Sequence, residues 1–325
     1  MLNLEQKINR LDWKIDEALI PVVQEILNEL ERGDSIEFQT SGSTGEPKKI
    51  SFTKEQILRS SERTATAFRL KEKSKVFCAL PAKYVAGKMM MLRSLFRNWQ
   101  LHWQQPSSKP EVTTNYDFGV FTVAQVVAIL EANSQALDNI HTILLGGGAL
   151  TTRAEVLLQQ SRTSAFMGYG MTETLTHVAL MEIGVDAHYR VLPNVEIQCN
   201  EEGCLRIKDI LLQTDWLQTN DVVEVKEGGF LVLGRRDFVI NTGGVKVFPE
   251  KLEARLANYI SSDFFVVGSP DEVLGEHITV VIEGRENATL CGELLNLDWG
   301  VEKPREILFK EQLERTESGK IKRTR

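Results

Sequence analysis

Between Thr40 and Lys49 the chain reads "TSGSTGEPKK", with four hydroxyls, two glycines three apart and two lysines in ten residues. Glycine lets a backbone turn its N–H groups toward an anion, hydroxyls donate further bonds, and lysine supplies charge. Thr40, Ser41, Gly42, Ser43, Thr44, Gly45 and Lys48 therefore have the chemistry a polyphosphate needs. No Gly-Lys-Ser/Thr follows, and Pro47 stands five residues after Gly42, which excludes a Walker loop. A plain polar turn uses the same residue types. A second segment, "GYGMTET", runs from Gly168 to Thr174. Tyr169 offers a flat face to a base, Thr172 a hydroxyl, and Glu173 a carboxylate suited to Mg²⁺ on phosphates; a structural strand-end loop is the other reading. A third group pairs Thr219-Asn220-Asp221 with Gly234-Arg235-Arg236-Asp237. An Asp accepting from both ribose hydroxyls beside an Arg suits nucleoside binding, although taken alone a surface ion pair is the ordinary meaning. A fourth, "RTESGK", presents Lys320 on a Ser-Gly turn near the C-terminus.

These groups must be held by regular elements. Residues 14–32 read as an amphipathic helix interrupted by Pro21 and closed by Gly33. "IEFQT" and "KISF" alternate as strands on either side of the first loop, and Thr53-x-x-Gln56 is a capping box opening a helix to about Phe68. "VFCALP", "FGVFT", "TILLGGGAL" and "SAFMGYG" are apolar strands, with helices over Gly87–Phe96, Val123–Ala132 and from Thr152-x-x-Glu155 between them. Strands alternating with helices, with glycine at strand ends, indicate a largely parallel α/β sheet whose ligands lie beyond the carboxyl ends of the strands. After Val185 short strands and tight turns indicate an antiparallel β segment. From "VINTGGVKVFPEKLEARL" onward the pattern is that of a small α+β unit, Pro249 opening a helix. The boundary is expected near Arg236–Asp237: a large α/β domain over 1–236 and a small mobile α+β domain over 237–325.

Two domains suit 325 residues, since single cores rarely exceed about 250–300. With 42% hydrophobic residues a packed core is expected and disorder excluded. The net charge of −7 argues against a general nucleic-acid partner. The C-terminal stretch is nevertheless basic, carrying Lys310, Arg315, Lys320, Lys322, Arg323 and Arg325 against three Glu; it is either a solvated end or one that approaches a phosphorylated ligand. No apolar run reaches the roughly 18–20 residues that span a bilayer, and the N-terminus lacks a signal-peptide core, so a cytoplasmic chain is expected. Cys199 and Cys204 are expected to face each other across a hairpin; no Cys/His set completes a zinc site.

In combination, and in this order, the motifs resemble the acyl-adenylate-forming superfamily of CoA ligases, peptide-synthetase adenylation domains and luciferases. The resemblance spans Thr40 to Lys320. It implies that Thr40–Lys48 form the phosphate loop, with Gly147 and Gly148, Tyr169, Gly170 and Thr172 completing the nucleotide site. Glu173 would hold Mg²⁺, Asp221 and Arg235 the ribose, and Asp237 would be the hinge. Gly243 and Gly244 would line the coenzyme A path, and Lys320 would be the catalytic lysine beside Thr172 and Glu173. ATP and Mg²⁺, a small carboxylic acid and coenzyme A as co-substrate are implied. "LPAKYVAGKMMMLRSL", "ILLGGGAL" and "GYGMTETLTHVAL" resemble in particular the short o-succinylbenzoate–CoA ligases of menaquinone biosynthesis. Other aryl- or fatty-acid ligases, stand-alone adenylation enzymes and a non-catalytic nucleotide-binding protein are the alternatives.

There are two departures. Only 39 residues precede the phosphate loop, where most relatives carry a long subdomain, which leaves part of the acyl pocket to be walled by something else. Tyr84 stands where many relatives have His, which bears on the residue gating that pocket. The second carboxylate of succinylbenzoate needs a cation: Lys83, Lys88 and Arg93 lie beside the expected pocket with His177, though the ordinary reading of each cation is a surface residue. An oligomer is compatible with the sequence.

Overall fold

The computed structural model describes residues 4–40, 48–315 and 321–324. The chain opens with α1 (Leu4–Leu11), the short β1 (Lys14–Ile15), a 3-10 turn and α2 (Ile20–Arg32). Pro21 does not interrupt a helix, as the sequence suggested; it lies in the first turn of α2, where its missing N–H costs nothing. Val23, Ile26, Leu27 and Leu30 form the buried face of α2. A two-stranded ribbon follows, β2 (Ser35–Gln39) antiparallel to β3 (Lys49–Thr53). Thr53 caps α3 (Lys54–Ala67) with the expected reciprocal bonds to Gln56, and Phe68 closes it.

Then come β4 (Lys75–Cys78), α4 (Val85–Arg97), β5 (Gln100–Trp103), β6 (Tyr116–Thr122), α5 (Val123–Ala132), β7 (Ile140–Gly146), α6 (Thr152–Gln159) and β8 (Ser164–Gly170). The Thr122–Gln125 capping box of α5 is present, whereas α6 is capped one residue before the expected Thr152, by Thr151. After a 3-10 turn, the chain continues through β9 (His177–Glu182), β10 (Tyr189–Val191), β11 (Val195–Cys199), β12 (Cys204–Asp209), β13 (Leu217–Lys226) and β14 (Gly229–Arg235). All of these except β2 and β3 join one twelve-stranded sheet, ordered β1-β5-β4-β6-β7-β8-β9-β10-β14-β13-β12-β11. Pairing is parallel from β1 to β8 and antiparallel beyond. The antiparallel segment is thus continuous with the parallel one. Two buried clusters flank the parallel half, one around Trp99, Trp103 and the methionines of α4, the other around Phe77, Phe121 and Ile143.

A 3-10 turn over Arg236–Phe238 leads to β15 (Ile240–Thr242), β16 (Val245–Val247), α7 (Pro249–Leu256), β17 (Phe264–Asp271), β18 (Gly275–Glu283), α8 (Ala288–Asn296) and β19 (Glu306–Lys310). These strands form a separate five-stranded sheet with its own core of Leu252, Leu256, Val266 and Val280. Cys199 and Cys204 do not face each other: Cys199 lies opposite Leu205 in the hairpin, exposed, while Cys204 is buried. With a side-chain period of two, neighbouring register positions point to opposite faces. No helix among the described residues is long and apolar enough to cross a membrane.

Candidate nucleotide and acyl site

Thr40 and Lys48 close the stem of the first loop. Thr40 N–H donates to the Lys48 carbonyl, and Lys48 N–H returns a bond to Thr40 Oγ1, both at 2.9 Å. Ser41, Gly42, Ser43, Thr44 and Gly45 lie outside the described residues, as does Lys320.

Parallel pairing brings the ends of β6, β7 and β8 to one edge of the sheet, Thr122 lying opposite Gly146 and Leu145 opposite Met167. Gly147 and Gly148 are exposed just beyond β7, and Tyr169 and Gly170 end the neighbouring strand. Gly170 faces His177 across an irregularity in the β8–β9 pairing, where a Cβ would come within 2.2 Å of the Thr176 carbonyl. Only glycine admits that approach. Thr174 Oγ1 donates to the Thr176 carbonyl at 2.7 Å and accepts from Met171 N–H, holding the 3-10 turn that presents Thr172 and Glu173. Among the described residues the Glu173 carboxylate has no ion pair, and no cluster of three metal-ligating side chains exists. A lone, free carboxylate fits Mg²⁺, which takes one or two protein carboxylates and completes its octahedron with phosphate and water; it does not fit an all-protein metal cage.

The ribose candidates form one linked group. Asp221 of β13 lies directly opposite Arg235 of β14. Its carboxylate accepts the Tyr169 hydroxyl and stands 3.6 Å from the Arg235 guanidinium. Tyr169 packs edge-on to Phe230 and Tyr189. Burial, and then the Asp221 charge, hold its phenol well above the ordinary value, so it stays a donor. Arg235 also donates to Asp237 at 2.7 Å, and Asn220 Nδ2 donates to both Asp237 oxygens at 3.1 Å. The candidate hinge residue is thereby tied to the candidate ribose residues. Sequence reading did not foresee the Tyr169–Asp221 bond, which joins residues 52 apart in sequence.

Glu250 at the start of α7 was also missed. It accepts the Arg235 backbone N–H at 3.3 Å, and its second oxygen is buried without a partner among the described residues. Gly243 and Gly244 turn between β15 and β16 with φ of +57° and +81°. In the tail, Arg315 pairs with Asp263 and Glu283, Lys322 with Glu314, and Arg323 with Glu253. Three of the basic residues are therefore already matched by carboxylates.

The acyl candidates separate. Tyr84 precedes α4, half-buried. Lys88 is engaged with the N-terminal segment: its ammonium is held by Glu29 at 2.7 Å and by the Glu37 carbonyl at 2.8 Å. Arg93 is not the expected surface residue either. It is 2% exposed, with Nε and Nη2 lacking any hydrogen-bond partner among the described residues. Burial lowers its pKa to about 9, with Cys78 opposing, and the guanidinium remains charged at neutral pH. His177 is buried beside it, 3.4 Å from Thr64 Oγ1. Burial, then Arg93 and Arg63, hold its pKa well below the ordinary value, so the imidazole is neutral. The i, i+5 spacing of Lys88 and Arg93 puts them on different helix faces, one toward the N-terminal segment and one into the core.

The candidate site thus combines a strand-end edge, a carboxylate without an ion pair among the described residues, a linked Tyr–Asp–Arg set and a loop stem closed between Thr40 and Lys48. The family model "AMP-binding enzyme" matches residues 38–204. The 2-succinylbenzoate–CoA ligase of Listeria monocytogenes is 26% identical over 333 aligned positions, covering 91% of this chain and 70% of that protein. The enzyme of that name from Bacillus pumilus is also 26% identical, over 88% of this chain and 67% of its own length. Among solved structures, an acyl-CoA synthetase (AMP-forming)/AMP-acid ligase II-like protein from Dyadobacter fermentans shares 30% identity and a TM-score of 0.63, covering 95% of this chain and 94% of its own. The o-succinylbenzoate coenzyme A synthetase of Bacillus subtilis, in complex with ATP and magnesium ion, has a TM-score of 0.76 at 20% identity, over 88% of this chain and 68% of its own. The chain belongs to the AMP-binding enzyme family. Within it, the chain is an adenylate-forming acid–CoA ligase.

Proposed function

We propose that the enzyme joins 2-succinylbenzoate to coenzyme A by way of 2-succinylbenzoyl-adenylate, releasing pyrophosphate and AMP. The observation that carries the substrate choice is Arg93. An unpaired guanidinium in a core costs several kcal/mol, and a ligand carboxylate offsets that cost. Arg63, the other buried cation nearby, already has its charge matched by Asp209 in a bidentate pair at 2.6 Å, leaving only its Nε without a partner among the described residues. Neutral His177 beside Arg93 adds a donor without adding a competing charge. A monocarboxylic acid has no second carboxylate for Arg93 once its reacting group is at the phosphate. The 2-succinylbenzoate–CoA ligases among the relatives support the same reading.

In the first half-reaction a carboxylate oxygen attacks the α-phosphorus of ATP and the bond to pyrophosphate breaks. In the second, the coenzyme A sulfur, its proton lost, attacks the acyl carbon and AMP leaves with the bonding pair. Negative charge moves onto pyrophosphate in the first step, so donors preset around it lower the barrier. Thr40–Lys48 and Lys320 would supply them. Mg²⁺, held by Glu173, would act as a Lewis acid on phosphate oxygens. Tyr169, Asp221 and Arg235 would hold the nucleoside, the Asp already oriented by its two partners. Residues 1–236 and 237–325 would be the two domains, pivoting at Asp237 so that Lys320 serves adenylation and Gly243–Gly244 serve the thioester step.

Product analysis with ATP, Mg²⁺ and coenzyme A tests the proposal, comparing 2-succinylbenzoate with benzoate and a medium-chain fatty acid. The expected result is AMP, pyrophosphate and 2-succinylbenzoyl-CoA, formed much faster than from either other acid. Arg93→Met should raise KM for 2-succinylbenzoate by roughly 100-fold, the loss of a buried charge pair. AMP formed faster from another acid, or an unchanged KM in the variant, overturns the substrate assignment.

A further inference from the structure

We propose that Lys88 is a positioning residue for the nucleotide-phosphate loop, acting through Glu29 and strand β2. The inference rests on the reading of Thr40–Lys48 as that loop. It begins with a weakness of the fold. The loop is carried by β2 and β3, which among the described residues pair only with each other and belong to neither large sheet. A two-stranded ribbon is marginal by itself, and one edge of each strand lacks a backbone partner.

Glu37, on the outer edge of β2, has both its backbone groups met from outside the ribbon. Its N–H donates to Glu29 Oε1 of α2 at 2.6 Å, and its carbonyl accepts Lys88 Nζ of α4 at 2.8 Å. Lys88 Nζ also donates to Glu29 Oε2 at 2.7 Å, which closes the ring of contacts. The lysine side chain is only 14% exposed, and its ammonium stands 5.2 Å over the Phe38 ring. On the inner face Phe38 packs edge-on against Phe52 of β3. Three residues after Glu37, the Thr40–Lys48 bonds close the loop stem. Two helices, α2 just before the strand and α4 some 51 residues beyond it, thus converge on one residue of β2 and brace it. Charge-assisted bonds of this kind are strong enough to fix β2, and with it Thr40 at the loop stem.

Mg·ATP binding measured by calorimetry tests the strut, together with KM for 2-succinylbenzoate. Lys88→Met should weaken Mg·ATP about tenfold, the scale of one such bond, and leave KM for the acid unchanged. Lys88→Arg should recover most of the affinity. Glu29→Gln should weaken ATP in the same direction, and the double variant Glu29→Gln/Lys88→Met should be no worse than Lys88→Met. Unchanged ATP affinity with a lower melting temperature, or a rise in KM for the acid instead, overturns the proposal; the second result would return Lys88 to the acyl pocket. Thr40→Ala distinguishes the two levels of the argument. If Thr40→Ala weakens ATP and Lys88→Met does not, the strut alone fails. If Thr40→Ala has no effect on ATP, the loop reading fails and the strut falls with it.

Discussion

Arg93 and His177 lie together in the core, and burial, reinforced by the cation, keeps the base neutral. The imidazole is held well below its ordinary pKa of 6.5 by burial and by Arg93 and Arg63. Between the folded and unfolded values, the unfolded chain binds a proton that the folded chain does not. The folded state therefore keeps its full stability above about pH 6.5 and loses it as the pH falls below that point. Thermal unfolding followed from neutral to mildly acidic pH should show this decline, and His177→Gln should flatten it. Parallel curves for the two proteins would mean that His177 is not held neutral. Neither the burial of Arg93 nor its missing partners can be read from "MMMLRSL", because a helix segment does not reveal which of its faces meets the core.

At the level of elements, α3 is anchored at a distance. Arg63 and Asp209 form a bidentate pair buried on both sides, and Gln56 and Arg59 donate to the carbonyls of Leu212 and Leu211. The helix thus grips the end of β12 and the turn that follows it. Removing one member strands a charge, so Arg63→Met should destabilise by about 3–5 kcal/mol in urea unfolding. Arg63→Met with Asp209→Leu should cost less than the single change, because the stranded carboxylate goes with it. A double variant as unstable as the sum of its parts would refute the pairing as the cause. Local elements were legible where the signal is local. The capping boxes at Thr53 and Thr122 lie within four residues of their partners. Pro21 was misread because an interrupting proline and an initiating one look alike until the chain before it is seen to leave the helix.

Across the whole molecule, Asp237 joins the large sheet to the small one and is tied to Asn220 and Arg235, the latter a candidate ribose residue. A pivot at this place must release those bonds to turn, and a proline there restricts the backbone that turns. Asp237→Pro should therefore impair thioester formation more than adenylation. Lys320→Ala should do the reverse, losing adenylation while retaining conversion of supplied acyl-adenylate to thioester. The two half-reactions, assayed separately by pyrophosphate exchange and by thioester release, check both expectations. Equal loss of both steps in the lysine variant, or full activity in the hinge variant, would reject the corresponding role.

The sequence by itself determined the family, the order of the motifs and the parallel-then-antiparallel rhythm. Those properties lie in short windows, in glycine and hydroxyl spacing, side-chain period and helix caps. Only the tertiary structure decided partners. Tyr169 meets Asp221, Glu250 meets Arg235, Lys88 meets Glu29 and β2, and Arg93 lies in the core beside His177 with two nitrogens unpartnered among the described residues. Each of these depends on which elements pack together. A buried charge declares its role only through what surrounds it, because burial multiplies the cost of a missing partner and the value of a present one.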